Sequence, residues 1–356
     1  MKKIILSAAI AAICAAPVAA IAADHNLYGQ LRYSFNSVSD KDGKIGQDGL
    51  SGNDNVSLFG LKGTVGDGDT KAFYHLQTGA PADSNANAVE AAAKEAGNAF
   101  NQRFYFAGLK GGWGKAAYGR MTNAYKFDGF KLDPYYNLSH VNAAGTFATG
   151  GASYGLSPAT NGFTDNSLQY HSPAFAGITI NAGVYVDDTN EDNNSTGLGA
   201  SWKGKGFNAG LQYIQNNNDG SVNANKVIPG VYIDGSAMRV HGGFKAKTWS
   251  AGLSYETVDE GTVADLSAST NYMYLVGRFN ATPKTELVLT VGTVDPDTGA
   301  ANAGAKGTGY QLGVFQTVVT KTQLYVTYGA ADLDAPDHED PSVISVGAIH
   351  KFGFGG

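Results

Sequence analysis

Arg239, His241 and Lys245 stand at alternating positions of the segment MRVHGGFK, interleaved with Met238, Val240, Gly242 and Phe244. In an extended strand this spacing puts the basic groups on one face and the apolar groups on the other. The chemistry it offers is a line of fixed charges that attracts or repels ions without breaking a bond. Bond-making chemistry is not signalled. Neither GxSxG nor HExxH occurs, and the seven His fall in seven separate segments. No nucleophile therefore has a base and an orienting group at a recognisable spacing. No catalytic residue is assigned, and the competing enzyme class is a barrel hydrolase whose triad assembles across strands.

Metal chemistry fares no better. Asp40-Lys41-Asp42-Gly43-Lys44-Ile45 has the middle of a calcium-loop pattern. Val38 and Gly49, however, occupy the first and last ligand positions, where the last needs a bidentate Glu. The run Asp187 to Asp192 reads as a solvated acidic face. The only cysteine, Cys14, lies in the N-terminal leader, which leaves the rest without disulfides or thiolate ligands. No metal and no cofactor is expected.

The elements that must position such charges follow from the same period of two. In ITINAGVYV, residues 178–186, Ile178, Ile180, Ala182, Val184 and Val186 share one face, and Thr179, Asn181, Gly183 and Tyr185 the other. The pattern recurs at 207–214, 238–245, 249–256 and 286–293. Strands apolar on one side and polar on the other suit a transmembrane barrel, with lipid outside and water inside. A closed barrel also leaves no backbone polar group unpaired in hydrocarbon. Composition agrees: Gly is 48 of 356 residues, charged residues are 16%, and there are 19 Tyr and 17 Phe. Glycine is thus nearly twice as frequent, and charge well below, the averages of about 7% and about 25% for ordinary proteins.

Residues 1–22 read as a cleaved signal peptide. Lys2 and Lys3 precede a short apolar stretch, and Ala20-Ile21-Ala22 supplies small residues at the cleavage positions. The barrel domain is then 23–356. Without those two lysines, 23 basic and 31 acidic side chains give the mature chain a net charge of −8. That balance excludes a basic nucleic-acid-binding face.

Short connections near 66–69, 111–114, 174–177, 203–206, 246–248, 282–285 and 318–322 alternate with long ones near 37–54, 80–101, 122–166, 187–195, 216–236, 258–270, 295–308 and 332–341. Eight long loops and seven short turns predict a 16-stranded antiparallel barrel, all-β, with both chain ends at the periplasmic rim. Residues 87–100, NAVEAAAKEAGNAF, favour a short helix that needs a docking surface. The third loop is the longest and is rich in aromatic residues (Tyr125, Phe127, Phe130, Tyr135, Tyr136). A loop of that length and composition is expected to fold inward and be buried in the lumen. In this frame Arg239, His241 and Lys245 line the pore, because charges on the lipid side would cost roughly 2–4 kcal/mol each at mid-depth.

RFYFAGLKGGWGKAAYGR at 103–120 resembles the strand–turn–strand before the constriction loop of general diffusion porins of Gram-negative bacteria. LFGLKGTVGDGDTKAFYHLQTG at 58–79, LQYHSPAFAGITINAGVY at 168–185, VVTKTQLYVTYG at 318–329 and VGAIHKF at 346–352 are similar, in order, to further hairpins and the closing strand of that family. Asn26-Leu27-Tyr28-Gly29 fits its opening strand. The family's acidic-Phe-Gly signature has its nearest counterpart in Phe127-Asp128-Gly129-Phe130. Its terminal aromatic corresponds to Phe352 or Phe354, here followed by two glycines.

The resemblance implies a homotrimeric outer-membrane porin, in contact with lipids including lipopolysaccharide, that passes small hydrophilic solutes and ions. It implies a constriction in which Asp128 and Asp133 of the third loop face a basic ladder. The ladder positions are Gln30, Leu58, Arg103 and His171, with Arg32 and Arg120 beside them. Lys62 and Arg278 join Gln30, Arg239, His241 and Lys245 as pore-lining residues. With Gln30 and Leu58 uncharged, the expected pore prefers cations weakly and shifts toward anions as His171 gains a proton. A solute-selective channel is the alternative within the same fold.

Overall fold

The period-two segments form one antiparallel sheet of seventeen strands. They are β1 (Ala23–Ser39), β2 (Gly49–Asp54), β3 (Leu58–Val65), β4 (Lys71–Gly79), β5 (Asn101–Gly111), β6 (Gly114–Met121), β7 (Thr164–His171), β8 (Ile178–Tyr185), β9 (Ser195–Gly204), β10 (Phe207–Gln215), β11 (Ser236–Lys245), β12 (Trp249–Val263), β13 (Leu266–Asn280), β14 (Thr285–Pro296), β15 (Gly307–Val319), β16 (Thr322–Leu333) and β17 (Ser342–Phe354). The computed structural model describes residues 23–39, 48–80, 101–129, 131–138, 152–157, 159, 163–187, 194–217, 235–263, 266–297, 300, 306–334 and 340–354. The leader 1–22, the segment 87–100 and the calcium-like loop at 40–47 lie outside them.

Each strand pairs with its neighbour in sequence except β2 and β3, which do not pair with each other, and β1 closes the ring on β17 through thirteen consecutive pairs from Leu27↔Phe354 to Ser39↔Ser342. β2 and β3 both pair with β1 and are the two halves of one stave, so the barrel has sixteen staves, as expected. The break falls at Asn55-Val56-Ser57. Val56 takes φ 70° there, a left-handed conformation that a β-branched residue rarely adopts. The freed backbone is satisfied locally: Asn55 N donates to Arg32 O at 2.8 Å, Arg32 N to Ser57 Oγ at 3.0 Å, and Ser57 N to Asp54 Oδ1 at 2.6 Å.

Register assigns the faces. Leu31, Tyr33 and Phe35 point out and are exposed, while Ser34 and Asn36 point in and are buried. Met238 and Val240 are about half exposed on the outside, whereas Arg239 between them has no exposed surface. Outward aromatics gather beside the short turns. Trp113 stacks on Tyr170 at 6.3 Å, Phe207 meets Phe244 at 4.6 Å, and Phe244 meets Trp249 at 5.4 Å. Such a belt marks a membrane–water interface.

One expected loop is largely strand. Residues 258–263 and 266–270 extend β12 and β13, with a register shift between Asp259 and Thr262. Val258, Thr262 and Val263 are β-branched and favour continued pairing. Among the described residues no helix is long and apolar enough to cross a membrane.

Candidate functional site: a constriction built on the third loop

The third loop leaves β6 at Met121 and turns into the barrel. Its first turn is a short helix, α1 (Ala124–Gly129). Asn123 caps it, accepting Lys126 N at 2.7 Å, as N-cap residues do. Inner-face side chains of the wall hold the same turn. Ala124 N donates to Tyr185 Oη at 2.8 Å, and Gln169 Nε2 donates to Thr122 O at 2.8 Å.

The main bolt is a cross-strand ion pair. Arg239 on β11 and Glu256 on β12 are register partners and meet at 2.7 Å with no exposed side-chain surface. Tyr125 lies against the pair. Its Oη donates to Glu256 Oε1 at 2.7 Å, its ring sits 4.1 Å from the Arg239 guanidinium, and its carbonyl accepts Arg239 Nη1 at 3.2 Å. The returning limb joins the same carboxylate through Ser157 N at 2.8 Å and Ser157 Oγ at 2.9 Å. Both ends of the loop are thus fixed to one buried, charge-assisted cluster.

The middle of the loop is pinned on the far wall. Tyr135 Oη donates to Val288 O at 2.8 Å, and Arg32 Nη2 on β1 donates to Tyr136 O at 3.1 Å. The loop therefore bridges the lumen from β11–β12 to β1. Close approach needs glycine at two wall positions. A Cβ on Gly292 would stand 2.0 Å from Tyr154 O, and one on Gly309 would stand 2.7 Å from the Tyr154 ring.

Asp133, expected at the lumen surface, is buried. Its carboxylate accepts Tyr135 N at 2.9 Å, Ser153 N at 2.7 Å, Ser153 Oγ at 2.8 Å and Tyr274 Oη at 3.1 Å. Burial raises its pKa above the ordinary Asp value, and these hydrogen bonds oppose the rise. It is a staple between the two limbs of the loop, not a charge in the water path. The side chain of Asp128 lies outside the described residues.

Basic side chains gather where the loop returns to the wall. A register shift between the pairs Gln77↔Phe104 and Thr78↔Gln102 leaves Arg103 as the extra residue of β5. This bulge re-aims Arg103 into the lumen, where its Nε donates to Gln77 Oε1 at 2.8 Å. Three cations surround the ring of Phe163 on the returning limb. Lys126 Nζ is 4.6 Å from its centroid, Arg103 Cζ 4.7 Å and Arg120 Cζ 5.6 Å. Lys126 also lies 5.4 Å from the Tyr136 ring, whose carbonyl is held by Arg32. Burial first, then the charges of Arg103 and Arg120, pull the Lys126 amine well below the usual lysine range. Asp165 balances Arg120 at 2.8 Å.

The other expected residues fall in three places. Gln30 faces in, donates to Val56 O at 3.1 Å, and lines a cavity of about 180 Å³ with Arg32, Arg278 and Lys351. Arg278 lines the lumen as a bidentate pair with Glu286 at 2.9 Å. Lys62 is on the inner face with its amine 5.3 Å from the Tyr28 ring. His241 and Lys245 line a second cavity with Lys131 and Lys203. Arg239 faces inward as expected but is sealed beneath the loop, so it lines no water. His171 is not at the constriction: it pairs with Lys115 at the periplasmic end of the wall, five residues from Arg120, about 17 Å along the strand at ~3.4 Å per residue.

Lys126, Glu256, Tyr136 and Phe163 are missing from the sequence-based set. Glu256 was within reach, since alternation places it inward opposite Arg239. Lys126 and Phe163 depend on the path of an irregular loop, for which period-two patterning gives no guide.

Among the described residues no cluster of His, Cys, Asp or Glu could hold a metal ion. A family model described as Gram-negative porin matches residues 7–336. No curated protein sequence matches the chain significantly. Among solved structures, an anion-selective porin from Comamonas acidovorans is similar with a TM-score of 0.71 at 18% identity, covering 93% of this chain and 100% of that one. OmpF of Salmonella typhi, in complex with daunomycin, gives 0.70 at 15% identity, covering 92% and 97%. The DcaP channel of Acinetobacter baumannii gives 0.63 at 14%, covering 93% and 97%.

Proposed function

The chain belongs to the Gram-negative porin family, an outer-membrane channel for passive diffusion rather than an enzyme, and from that premise we propose that its constriction prefers small anions. One observation carries the reading. Arg32 and Arg103 reach the narrowing, with the buried Lys126 behind them, while Asp133, one of the two acids expected to oppose them, is buried inside the loop. Two unit charges 4 Å apart interact by about 4 kcal/mol near a protein surface, so a few fixed cations in a narrow path suffice to sort small ions by sign. The weak cation preference expected from the sequence rested on uncharged Gln30 and Leu58, a mostly neutral His171, Asp128 and Asp133 facing the water, and acidic outer loops; of these, Asp133 is buried and His171 stands away from the loop's basic cluster. The anion-selective relative from Comamonas acidovorans is consistent with the reading.

Cleavage after residue 22 places the mature start at β1. The protein assembles as a homotrimer in contact with lipopolysaccharide and other outer-membrane lipids, with its broad apolar outer faces covered by lipid and by neighbouring copies. The 87–100 segment is the contact proposed for the neighbour.

Planar-bilayer conductance tests the selectivity with two substitutions of salt. Replacing chloride by the bulky gluconate should lower conductance far more than replacing potassium by Tris. The reverse order would overturn the anion reading and leave the channel assignment intact.

A further inference from the structure

Apolar side chains on the inner wall at Tyr272, Tyr274, Val288 and Phe315 are buried, but those on β4 and β5 are not. Inward positions of a water-filled barrel are ordinarily polar, yet here they hold Phe73, His75, Phe104 and Phe106, all half-buried. The rings are in mutual contact. Phe104 stacks on His75 at 4.6 Å and meets Phe106 edge-on at 5.8 Å, and Phe106 meets Phe73 at 6.2 Å. At its upper end the strip continues into Phe163 of the third loop, 5.1 Å from Phe104, beneath the cations Arg103 and Lys126. The four wall rings line a cavity of about 260 Å³ along β4 to β7, which Lys115 and His171 also line. An aromatic surface therefore runs from one basic cluster toward a second basic group on the periplasmic side.

The hydrogen bonds behind the strip hold it in place. Arg103 bonds Gln77, Gln77 Nε2 donates to Tyr28 Oη at 2.7 Å, and Tyr28 Oη bonds His75 Nε2. His75 is thereby oriented with its ring flat against Phe104. Aromatic side chains left half exposed to water lose burial free energy that a polar wall would not forfeit. A flat aromatic solute recovers it through stacked and edge-on contacts, and a negative charge on that solute is complementary to the cations at both ends of the strip.

We propose that this strip is a binding subsite for small aromatic carboxylates, whose ring rides on Phe104 and Phe106 while the carboxylate passes from Arg103 to Lys115. The subsite deepens the anion preference proposed above by naming a substrate class. It makes the pore selective for one kind of solute while simple ions still pass.

The test is block of single-channel chloride current by benzoate, with acetate, benzyl alcohol and glucose as comparison probes on both sides of a bilayer. Benzoate should interrupt the current at least about tenfold more tightly than acetate, the effect of ring–ring contact. Benzyl alcohol and glucose should block more weakly than benzoate, since they lack the charge. Phe104→Ser and Phe106→Ser should relieve the benzoate block and leave the zero-current potential in potassium chloride unchanged. Should either fail to form barrels, Phe104→Leu and Phe106→Leu keep the bulk and lose the ring, and should show the same relief. Equal block by benzoate and acetate, equal block by benzyl alcohol or glucose, or benzoate block untouched in the Phe variants would overturn the proposal. A channel that prefers cations in potassium chloride yet binds benzoate through Phe104 and Phe106 would contradict the simple-ion reading alone and leave the subsite standing.

Discussion

Lys126 is held in a place where its charge is expensive. It is buried, close to Arg103 and Arg120, and stacked between the rings of Phe163 and Tyr136. A lysine whose pKa is lower in the folded chain than in the unfolded one leaves the unfolded chain holding more protons between the two values. Stability therefore rises with pH across that window as the native state sheds the proton, and the pore loses one fixed positive charge over the same range. Anion preference should be strongest at acid pH and decline below the pH at which an ordinary lysine titrates. Lys126→Met should flatten that decline, read as permeability ratios from pH 5 to 10, and lower the acid-side anion preference by about threefold to tenfold, equivalent to ~1 kcal/mol of lost attraction. An unchanged pH profile in the variant would remove Lys126 from the selectivity account. Neither the residue nor its setting was legible in the sequence. Alternation exposed Arg239 because strands have a period, and the family resemblance pointed to Arg103, whereas Lys126 and Asp133 sit on a loop whose path is set by distant wall contacts. Asp133 was recognised as an acid of the third loop and assigned the opposite exposure for that reason.

At the scale of elements, the wall strands and the loop are one mechanical unit. The barrel strands were largely readable: period-two alternation gave the faces of β8, β10, β11, β12 and β14, and Gly- and Pro-rich turns gave the short connections. The local departures were not. The break of the second stave at Val56 and the bulge that turns Arg103 inward are single-residue events, and period-two averaging passes over them. Both set the position of constriction arginines. The Arg239–Glu256 pair shows the same coupling energetically. Removing one partner of a buried pair costs about 3–5 kcal/mol, because the other charge is left uncompensated. Glu256→Ala should free both limbs of the loop from the wall, giving larger and noisier single-channel currents and a lower unfolding temperature. The double change Arg239→Met with Glu256→Met removes both charges together and should be less destabilising than Glu256→Ala alone. Thermal unfolding followed by circular dichroism in detergent compares the two. A double variant less stable than the single one would argue that Tyr125 and Ser157 hold the loop without the ion pair.

At the scale of the whole molecule, the sheet closes on itself, the outer face is a band of exposed apolar side chains with an aromatic belt, and the lumen is crossed by one loop. Closure disposes of every sheet edge, so passage runs through the lumen, past the third loop where, among the described residues, Arg32 of β1 and Arg103 of β5 stand. The sign of the charge around that passage is the central claim, because the preference proposed here is opposite to the one expected from the sequence. The most direct measurement is the zero-current potential of purified protein in a planar bilayer under a tenfold potassium chloride gradient at pH 7. The account predicts a potential whose sign reports chloride as the more permeant ion, collapsing toward zero in Arg103→Glu. A potential of the opposite sign in the wild-type channel would contradict it.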